Sequence, residues 1–323
     1  MNRRARPLAT AEPVHGGGGP GAPLQRMLRV GCVKYLNARP LIRGWPGEVA
    51  FEHPSALCER LANGELDVAL VSSFEFLRNP IYRIIDDVSI SSDGPVYSVV
   101  VAHRDEISRI DEIELDPASE TAVNLLRCLL GELGLNPDLK RRSTGILPAG
   151  GTDSSCGEPL GPADISPAVV KSGSAARAQL LIGDQAIRFR QKHADEFQFW
   201  DLGEQWNKLM GLPFVYALWL IRPEVVAPKQ IADRLRDLRE ENLAQLNQLI
   251  LDAVSGVGMS AVALAKADDP GAPVITREFL NCYYQEHLRF SFGKKEKEGL
   301  RTFAQLCAKR GLLPEGGIAF DLV

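Results

Sequence analysis

Apolar residues along the chain occur in two kinds of run. Five runs rich in β-branched residues are bounded by glycine, proline or polar residues, which is typical of buried strands. Longer segments place leucine at helical spacing, as at 122–133 and 231–254. The alternation of the two kinds predicts an α/β fold. The strand-like runs lie at 28–33, 67–71, 96–102, 179–182 and 214–221.

Small polar residues follow several of these runs. In open α/β sheets ligands bind beyond the carboxyl ends of the strands, so these positions are candidates for a site. Where a helix follows, its first N–H groups are unpaired and attract carboxylates or phosphates. Read singly, each serine or threonine also has an ordinary interpretation as a helix N-cap. The four positions are Asn37, Ser72-Ser73, Ser119 to Thr121, and Gly183-Asp184.

Two of the apolar runs are long, at 96–102 and 214–221. We interpret them as crossovers between two α/β lobes, with a small-molecule site in the cleft between the lobes. This interpretation assigns residues 27–100 and 215–323 to a discontinuous first lobe and 101–214 to the second.

Composition limits the function classes. The chain has 323 residues, a formal net charge of −4 and no strongly basic segment, which argues against binding nucleic acid or a membrane surface. No charge-poor apolar run reaches the roughly 18 residues that a membrane helix needs. The six cysteines are scattered without a C-x-x-C pair, a pattern typical of reduced thiols in a cytoplasmic protein.

Two segments differ from the rest. Residues 1–26 combine arginine, proline and a Gly16 to Gly19 run without the apolar stretch of a secretory signal, which predicts a disordered tail. Residues 145–165 are rich in glycine, proline, serine and aspartate, which predicts a flexible insertion in the second lobe.

Several ordered motifs resemble one enzyme family. They are Tyr-Leu-Asn-Ala-Arg-Pro at 35–40, Ser-Ser-Asp-Gly-Pro-Val at 91–96, Leu-Ile-Gly-Asp at 181–184, Gly-Leu-Pro-Phe-Val at 211–215 and the Tyr283-Tyr pair. In this order they resemble the chorismate dehydratases, which open the futalosine route to menaquinone. The resemblance covers about residues 28–313.

The resemblance implies a two-lobed, type II periplasmic-binding-protein-like fold used as a lyase. The implied reaction removes water from chorismate and gives 3-[(1-carboxyvinyl)oxy]benzoate, without a metal or other cofactor. It requires binding of the two carboxylates, removal of a ring proton and assistance to the departing hydroxyl. The implied partner is chorismate, with no nucleic acid and no membrane, and a homodimer is left open.

The resemblance also implies the site residues. Asn37 would orient the reacting ring and its hydroxyl, and Asp184 is the second catalytic candidate. The family usually has a Thr-Ser pair where this chain has Thr121-Ala122, so one carboxylate donor is either missing or replaced by backbone. The implied substrate-binding residues are Tyr35, Ser72, Ser91, Ser92, Asp93 and Gly94 in the first lobe, and Ser119, Thr121 and Gly183 in the second.

The general base is left open. Asp93 or Asp184 could serve if burial raised its pKa, although the N-terminal position of Asp184 on a helix favours an ionised, weakly basic carboxylate. Alternatively, the side-chain carboxylate of chorismate itself takes the ring proton. The five histidines lie outside the motifs and are interpreted as structural or exposed.

Three rival functions share parts of this pattern. The related enzyme 1,4-dihydroxy-6-naphthoate synthase has the same fold, but the 35–40 motif favours the dehydratase. A non-catalytic carboxylate-binding protein would have the same cleft, yet would ordinarily carry an export signal. A transcriptional effector domain would need a helix-turn-helix, which residues 1–26 cannot form.

Overall fold

The computed structural model describes residues 28–141, 176–255 and 275–323. The predicted tail at 1–26 and the predicted insertion at 145–165 lie outside these described residues.

The described residues contain ten strands that form two five-stranded sheets. Each predicted strand run contains a strand of the structure, and the predicted α/β class is confirmed. The strands are β1 (Val30–Val33), β2 (Val49–Glu52), β3 (Val68–Ser72), β4 (Arg83–Ser92), β5 (Val99–His103), β6 (Glu112–Leu115), β7 (Asp138–Arg141), β8 (Arg177–Ile182), β9 (Gln198–Asp201) and β10 (Phe214–Ile221).

The two sheets have the same mixed construction. The first has the order β2-β1-β3-β10-β4, with β1 parallel to its neighbours and β10 antiparallel to both of its own. The second has the order β7-β6-β8-β5-β9, with β6 parallel to its neighbours and β5 antiparallel to both of its own. The inner strands β3 and β5, each with a neighbour on both sides, are fully buried, which explains their mostly apolar sequence.

Helices cover both sheets. Residues 231–254, which the sequence predicts as one amphipathic stretch, form two helices separated at Gln245. The first packs on the helix Arg39–Ile42 and on β4, while the second reaches the helix Arg277–Cys282. The helices are α1 (Arg39–Ile42), α2 (Pro54–Ala62), α3 (Ser73–Arg78), α4 (Glu120–Glu132), α5 (Gly183–Lys192), α6 (Leu202–Met210), α7 (Pro228–Ala244), α8 (Leu246–Val254), α9 (Arg277–Cys282) and α10 (Lys294–Lys309).

The chain passes between the sheets in two segments, 93–98 and 202–213. Strands β5 and β10 each belong to one sheet, so the long apolar runs are central strands and not themselves the crossovers. They are long because each is buried in the middle of a sheet. The crossovers precede the predicted lobe boundaries by a few residues, and the full lobe division stays a prediction.

One carboxylate joins the two crossover segments. Asp201, only 3% exposed, begins α6 and accepts hydrogen bonds from the N–H groups of Gly203 (3.0 Å) and Glu204 (3.1 Å). It also accepts from the N–H groups of Val96 (3.0 Å) and Tyr97 (2.8 Å) in the other segment. Tyr97 has a φ of 67°, an unfavourable backbone conformation that these bonds help to hold.

We expect Asp201→Ala to lower the free energy of unfolding by about 2 to 3 kcal/mol, because an ordinary N-cap contributes about 1 kcal/mol and here two further buried N–H groups lose their acceptor. Thr276→Ala is the matched control, since Thr276 caps α9 through one bond to Phe279 N–H at 3.2 Å. Urea unfolding of both variants measures the difference. Equal losses would show that the bonds to Val96 and Tyr97 contribute little.

Five of the six cysteines lie in the described residues, where Cys32, Cys58, Cys128, Cys282 and Cys307 are free; Cys156 lies outside them. Cys128 of α4 and Cys307 of α10 lie with their sulfurs 3.7 Å apart in the core. They fill space where α4, which follows the second sheet's β6, packs against α10.

Candidate active site

A cavity lies between the two sheets. Its empty space is about 530 Å³, including the open space at its mouth. Five of the sequence-predicted residues line it, namely Tyr35, Asn37, Ser72, Ser119 and Gly183. The rest of the wall is formed by Val33, Pro54, Ile90, Val96, Ser98, Val99, Ala122, Ile182, Tyr216 and Ala217. Residues that lie far apart in the chain, from Val33 to Ala217, therefore line one cavity.

Asn37 occupies a short 3₁₀ turn, Leu36–Ala38, which follows β1 after the two residues Lys34 and Tyr35. The turn is fixed from both sides: Leu36 N–H donates to Asp184 Oδ1 (2.9 Å), and Tyr284 O–H donates to the Leu36 carbonyl (2.9 Å). The Asn37 Oδ1 atom is buried and has no hydrogen-bond partner among the described residues. An unsatisfied buried oxygen in a cavity wall is a natural contact for a ligand.

Asp184 lies in the first turn of α5 and is not among the residues that line the cavity. Burial raises its pKa from the ordinary value to about 6, although the Leu36 N–H bond and the charges of Arg188, Arg39 and Lys34 oppose the rise. The expectation of a weakly basic carboxylate is therefore wrong. The cost of desolvating the charged form exceeds the stabilisation from the helix N-terminus.

Helices α3 and α4 cap each other across the cleft. Thr121 N–H of α4 donates to Ser72 Oγ (3.2 Å), and Phe74 N–H of α3 donates to Thr121 Oγ1 (3.0 Å). The hydroxyls of Ser72 and Thr121 also bond to each other. Ser72, which precedes α3, therefore caps α4, and Thr121 of α4 caps α3. These two residues link the two sides of the cleft.

Ser119 is the N-cap of α4 and accepts from Ala122 N–H at 3.3 Å. Both Ser119 and Ala122 line the cavity. The wall at Ala122 therefore offers a methyl group and backbone, with the capping hydroxyl of Ser119 beside it.

The predicted lip at 91–94 lies behind the cavity wall. Ser91 pairs through its backbone with Arg289, and Ser92 Oγ bonds to the Gly94 carbonyl (3.0 Å) and to the Tyr216 hydroxyl (3.1 Å). Asp93 is exposed and accepts from the Asn207 amide at 2.8 Å. These four residues support the crossover, and Ser92 reaches the cavity wall through Tyr216.

Tyr35 and Gly183 meet across the cleft. Gly183 has a φ of +59°, and a Cβ added there would lie 2.8 Å from Tyr35 Cδ1. The Tyr35 hydroxyl lies 3.3 Å from His53 Nδ1, so one histidine interpreted as structural reaches a residue of the cavity wall. Only glycine combines this backbone conformation with such close approach of an aromatic ring.

Sequence reasoning missed three polar groups at or behind this wall. Ser98 and Tyr216 line the cavity inside apolar runs that give no polar signal, and Tyr283 donates to Ser98. Burial raises the pKa of the hydroxyls of Tyr216 and Tyr283 above their ordinary range. The Tyr283-Tyr motif was the one available signal.

Two features are absent from the described residues. Among the described residues, no group of three or more histidine, cysteine, aspartate or glutamate side chains is arranged to hold a metal. In the same part of the chain, no helix has the length and apolar character needed to cross a membrane.

Solved structures share this architecture. A protein from Archaeoglobus fulgidus is 17% identical with a TM-score of 0.54, the match covering 88% of this chain and 98% of that one. The alkanesulfonate-binding protein from Xanthomonas axonopodis pv. citri is 14% identical with a TM-score of 0.51, covering 90% and 95%. These similarities confirm the predicted two-lobed periplasmic-binding-protein-like fold.

Sequence comparison narrows the family. The chorismate dehydratase of Thermus thermophilus is 27% identical over 294 residues, which is 85% of this chain and 93% of that protein. A family model described as menaquinone biosynthesis matches residues 28–157 and 158–309. Because that model matches most of its length, the chain belongs to the menaquinone biosynthesis family.

Proposed function

We propose that the protein is a chorismate dehydratase, a cofactor-free lyase of the cytoplasm. It would remove one water from chorismate and release 3-[(1-carboxyvinyl)oxy]benzoate. The observation that carries the proposal is Asn37, the residue of the opening motif, whose buried Oδ1 lacks a hydrogen-bond partner among the described residues of the cavity wall. A bound ring hydroxyl would satisfy that oxygen.

The cavity suits a dicarboxylate with an apolar ring. Ser72 and Ser119 place hydroxyls at the N-termini of α3 and α4, where peptide N–H groups favour anions. The wall between them is apolar, with residues such as Val33, Ile90 and Ile182 to contact the ring. Hydrogen bonding to the carboxylates and apolar contact with the ring together orient the substrate.

The base that the geometry supports best is the substrate itself. No residue in the described wall of the cavity carries a carboxylate or an imidazole, and burial raises the pKa of both wall tyrosines, Tyr35 and Tyr216. Asp93 is exposed and bonded to Asn207, while Asp184 Oδ1 accepts from Leu36 N–H. We therefore assign Asp184 to positioning the Asn37 turn.

In this mechanism the side-chain carboxylate of chorismate takes the proton from the ring carbon that bears the ether oxygen. The electron pair of that C–H bond enters the ring, and the C–O bond of the neighbouring hydroxyl breaks. The hydroxyl leaves with a proton as water, and the ring becomes aromatic. The protein contributes orientation, which converts the proton transfer into a favourable intramolecular step.

We expect Asp184→Asn to lower kcat by less than about tenfold, because asparagine keeps an oxygen for Leu36 N–H, whereas removing a true base costs about 10²-fold or more. The same variant changes the pH dependence of stability. With a folded-state pKa of about 6, above the ordinary value, the wild type loses unfolding free energy as pH rises from about 4 through 6. Asparagine should abolish that loss, which is about 3 kcal/mol.

Steady-state kinetics between pH 5 and 8, and urea unfolding at several pH values between about 2 and 8, measure both effects. Asp252→Asn is the control of opposite sign, because hydrogen bonds from Gln248 and Arg43 lower the pKa of Asp252. Its effect on stability should appear as pH falls below about 4. A collapse of kcat in Asp184→Asn would instead identify Asp184 as the base.

The proposed function is tested by incubating the purified protein with chorismate and following the reaction by chromatography and mass spectrometry. We expect chorismate to be replaced by an aromatic product lighter by one water. Tight binding of chorismate without conversion would favour a carboxylate-binding protein, and neither binding nor conversion would favour the related naphthoate synthase activity.

A further inference from the structure

A π-helical turn, Tyr283–His287, directly follows α9 and brings two tyrosines against the cleft. Tyr283 is fully buried and Tyr284 is 3% exposed. Turns of this type are rare and frequently mark functional sites. Tyr284 O–H donates to the carbonyl of Leu36, in the turn that carries Asn37. This contact explains Tyr284 but not the hydroxyl of Tyr283.

The Tyr283 hydroxyl donates to Ser98 Oγ at 2.8 Å. Ser98 is 1% exposed and lines the cavity, and its carbonyl accepts from Gly183 N–H at 2.8 Å. Because Ser98 Oγ accepts from Tyr283, the serine's own hydrogen must donate elsewhere. In the described part of the chain no acceptor for it is present, so it is available to an oxygen in the cavity.

The arrangement fixes the direction of this bond. Burial raises the pKa of the Tyr283 hydroxyl, and its hydrogen bonds with Ser98 and Asn37 offset only part of the rise, so Tyr283 stays protonated and acts as donor. Its ring stacks on Phe279, with centroids 5.6 Å apart and planes inclined by 15°. The stacked ring therefore holds the Tyr283 hydroxyl in place beside Ser98.

We propose that Tyr283 is a positioning residue for the dehydration: it orients the Ser98 hydroxyl so that Ser98 donates a hydrogen bond to an oxygen of the bound substrate. This inference rests on the proposed function and assigns roles to two residues that the sequence motifs did not. Ser98 touches the substrate, and Tyr283 acts through Ser98.

The test uses Tyr283→Phe, which removes the hydroxyl and keeps the stacked ring. We expect kcat on chorismate to fall about tenfold or more, KM to change less than about threefold, and the unfolding free energy to fall by about 1 kcal/mol. Tyr82→Phe is the matched control: Tyr82 is equally buried and donates to Glu75 Oε1 at 3.4 Å, outside the cavity wall. Its turnover should match the wild type.

A double-mutant cycle separates action through Ser98 from a general structural role. If Tyr283 acts through Ser98, then Tyr283→Phe should lower kcat little further in a Ser98→Ala background. Additive losses, or an unchanged kcat in Tyr283→Phe, would overturn the inference while leaving the proposed function in place. A wild-type chain without turnover of chorismate would remove the proposed function, and this inference with it.

Discussion

Asn37→Ala is expected to lower kcat on chorismate by about 10² to 10³-fold, the range seen when one preorganised polar contact to a reacting group is removed. Asn37 is held in the cavity wall by a turn that Asp184 and Tyr284 fix through Leu36. Its Oδ1 has no partner among the described residues, and the Tyr283 hydroxyl, which loses its contact with Asn37 on truncation, keeps its bond to Ser98. We therefore expect the unfolding free energy to change by less than about 1 kcal/mol.

A comparison of the affinity for chorismate with kcat distinguishes a ground-state role of Asn37 from a transition-state role. If Asn37 acts mainly in the transition state, the affinity for chorismate should fall much less than kcat, since only interactions that strengthen in the transition state raise kcat. Asn124→Ala is the control, because Asn124 is a buried asparagine of α4 outside the cavity wall. Equal losses of affinity and rate would make Asn37 a ground-state binding residue.

Gly183→Ala has the second largest expected effect, a loss of about 10 to 10²-fold in kcat/KM. The φ of +59° costs an L-residue about 1 to 2 kcal/mol, and the new Cβ would lie 2.8 Å from the Tyr35 ring. Either the ring leaves the cavity wall or the two sides of the cleft separate. Both changes disturb the wall that orients the substrate.

The chain offers a control that separates strain from collision. Gly134 has a φ of +69°, and a Cβ there would meet nothing within 4 Å. Gly134→Ala should therefore lose similar stability from backbone strain but keep its turnover. Kinetics and urea unfolding of the two variants give the comparison. A Gly183→Ala variant with normal kcat/KM would show that the contact with Tyr35 does not shape the site.

The strands and the first turns of the site were predictable because they are local. The run at 28–33 is apolar because β1 is buried between β2 and β3, and Pro40 lies early in helix α1 near the 3₁₀ turn that carries Asn37. Likewise, Gly183 follows β8 where the backbone needs a positive φ. Spacing and turn chemistry along a few residues are sufficient for such assignments.

Partners across the cleft were not predictable. Ser72 was expected to cap the helix that follows it, but its hydroxyl binds Thr121 N–H of α4. Asp93 was expected at the cavity and instead lies exposed beside Asn207. Single residues of one chain segment do not reveal which distant segment they meet, because that depends on how two whole sheets are placed.

By itself, the sequence determined the α/β class, the strand ends and the family to which the motifs belong. Only the tertiary structure decided the pKa of Asp184 and the hydrogen-bond partner of Ser98. Burial raises the pKa of Asp184 to about 6, and Ser98, which lines the cavity, accepts a hydrogen bond from Tyr283, 185 residues away in the chain. Such effects depend on burial and on contacts between residues far apart in the chain, which a local pattern does not encode.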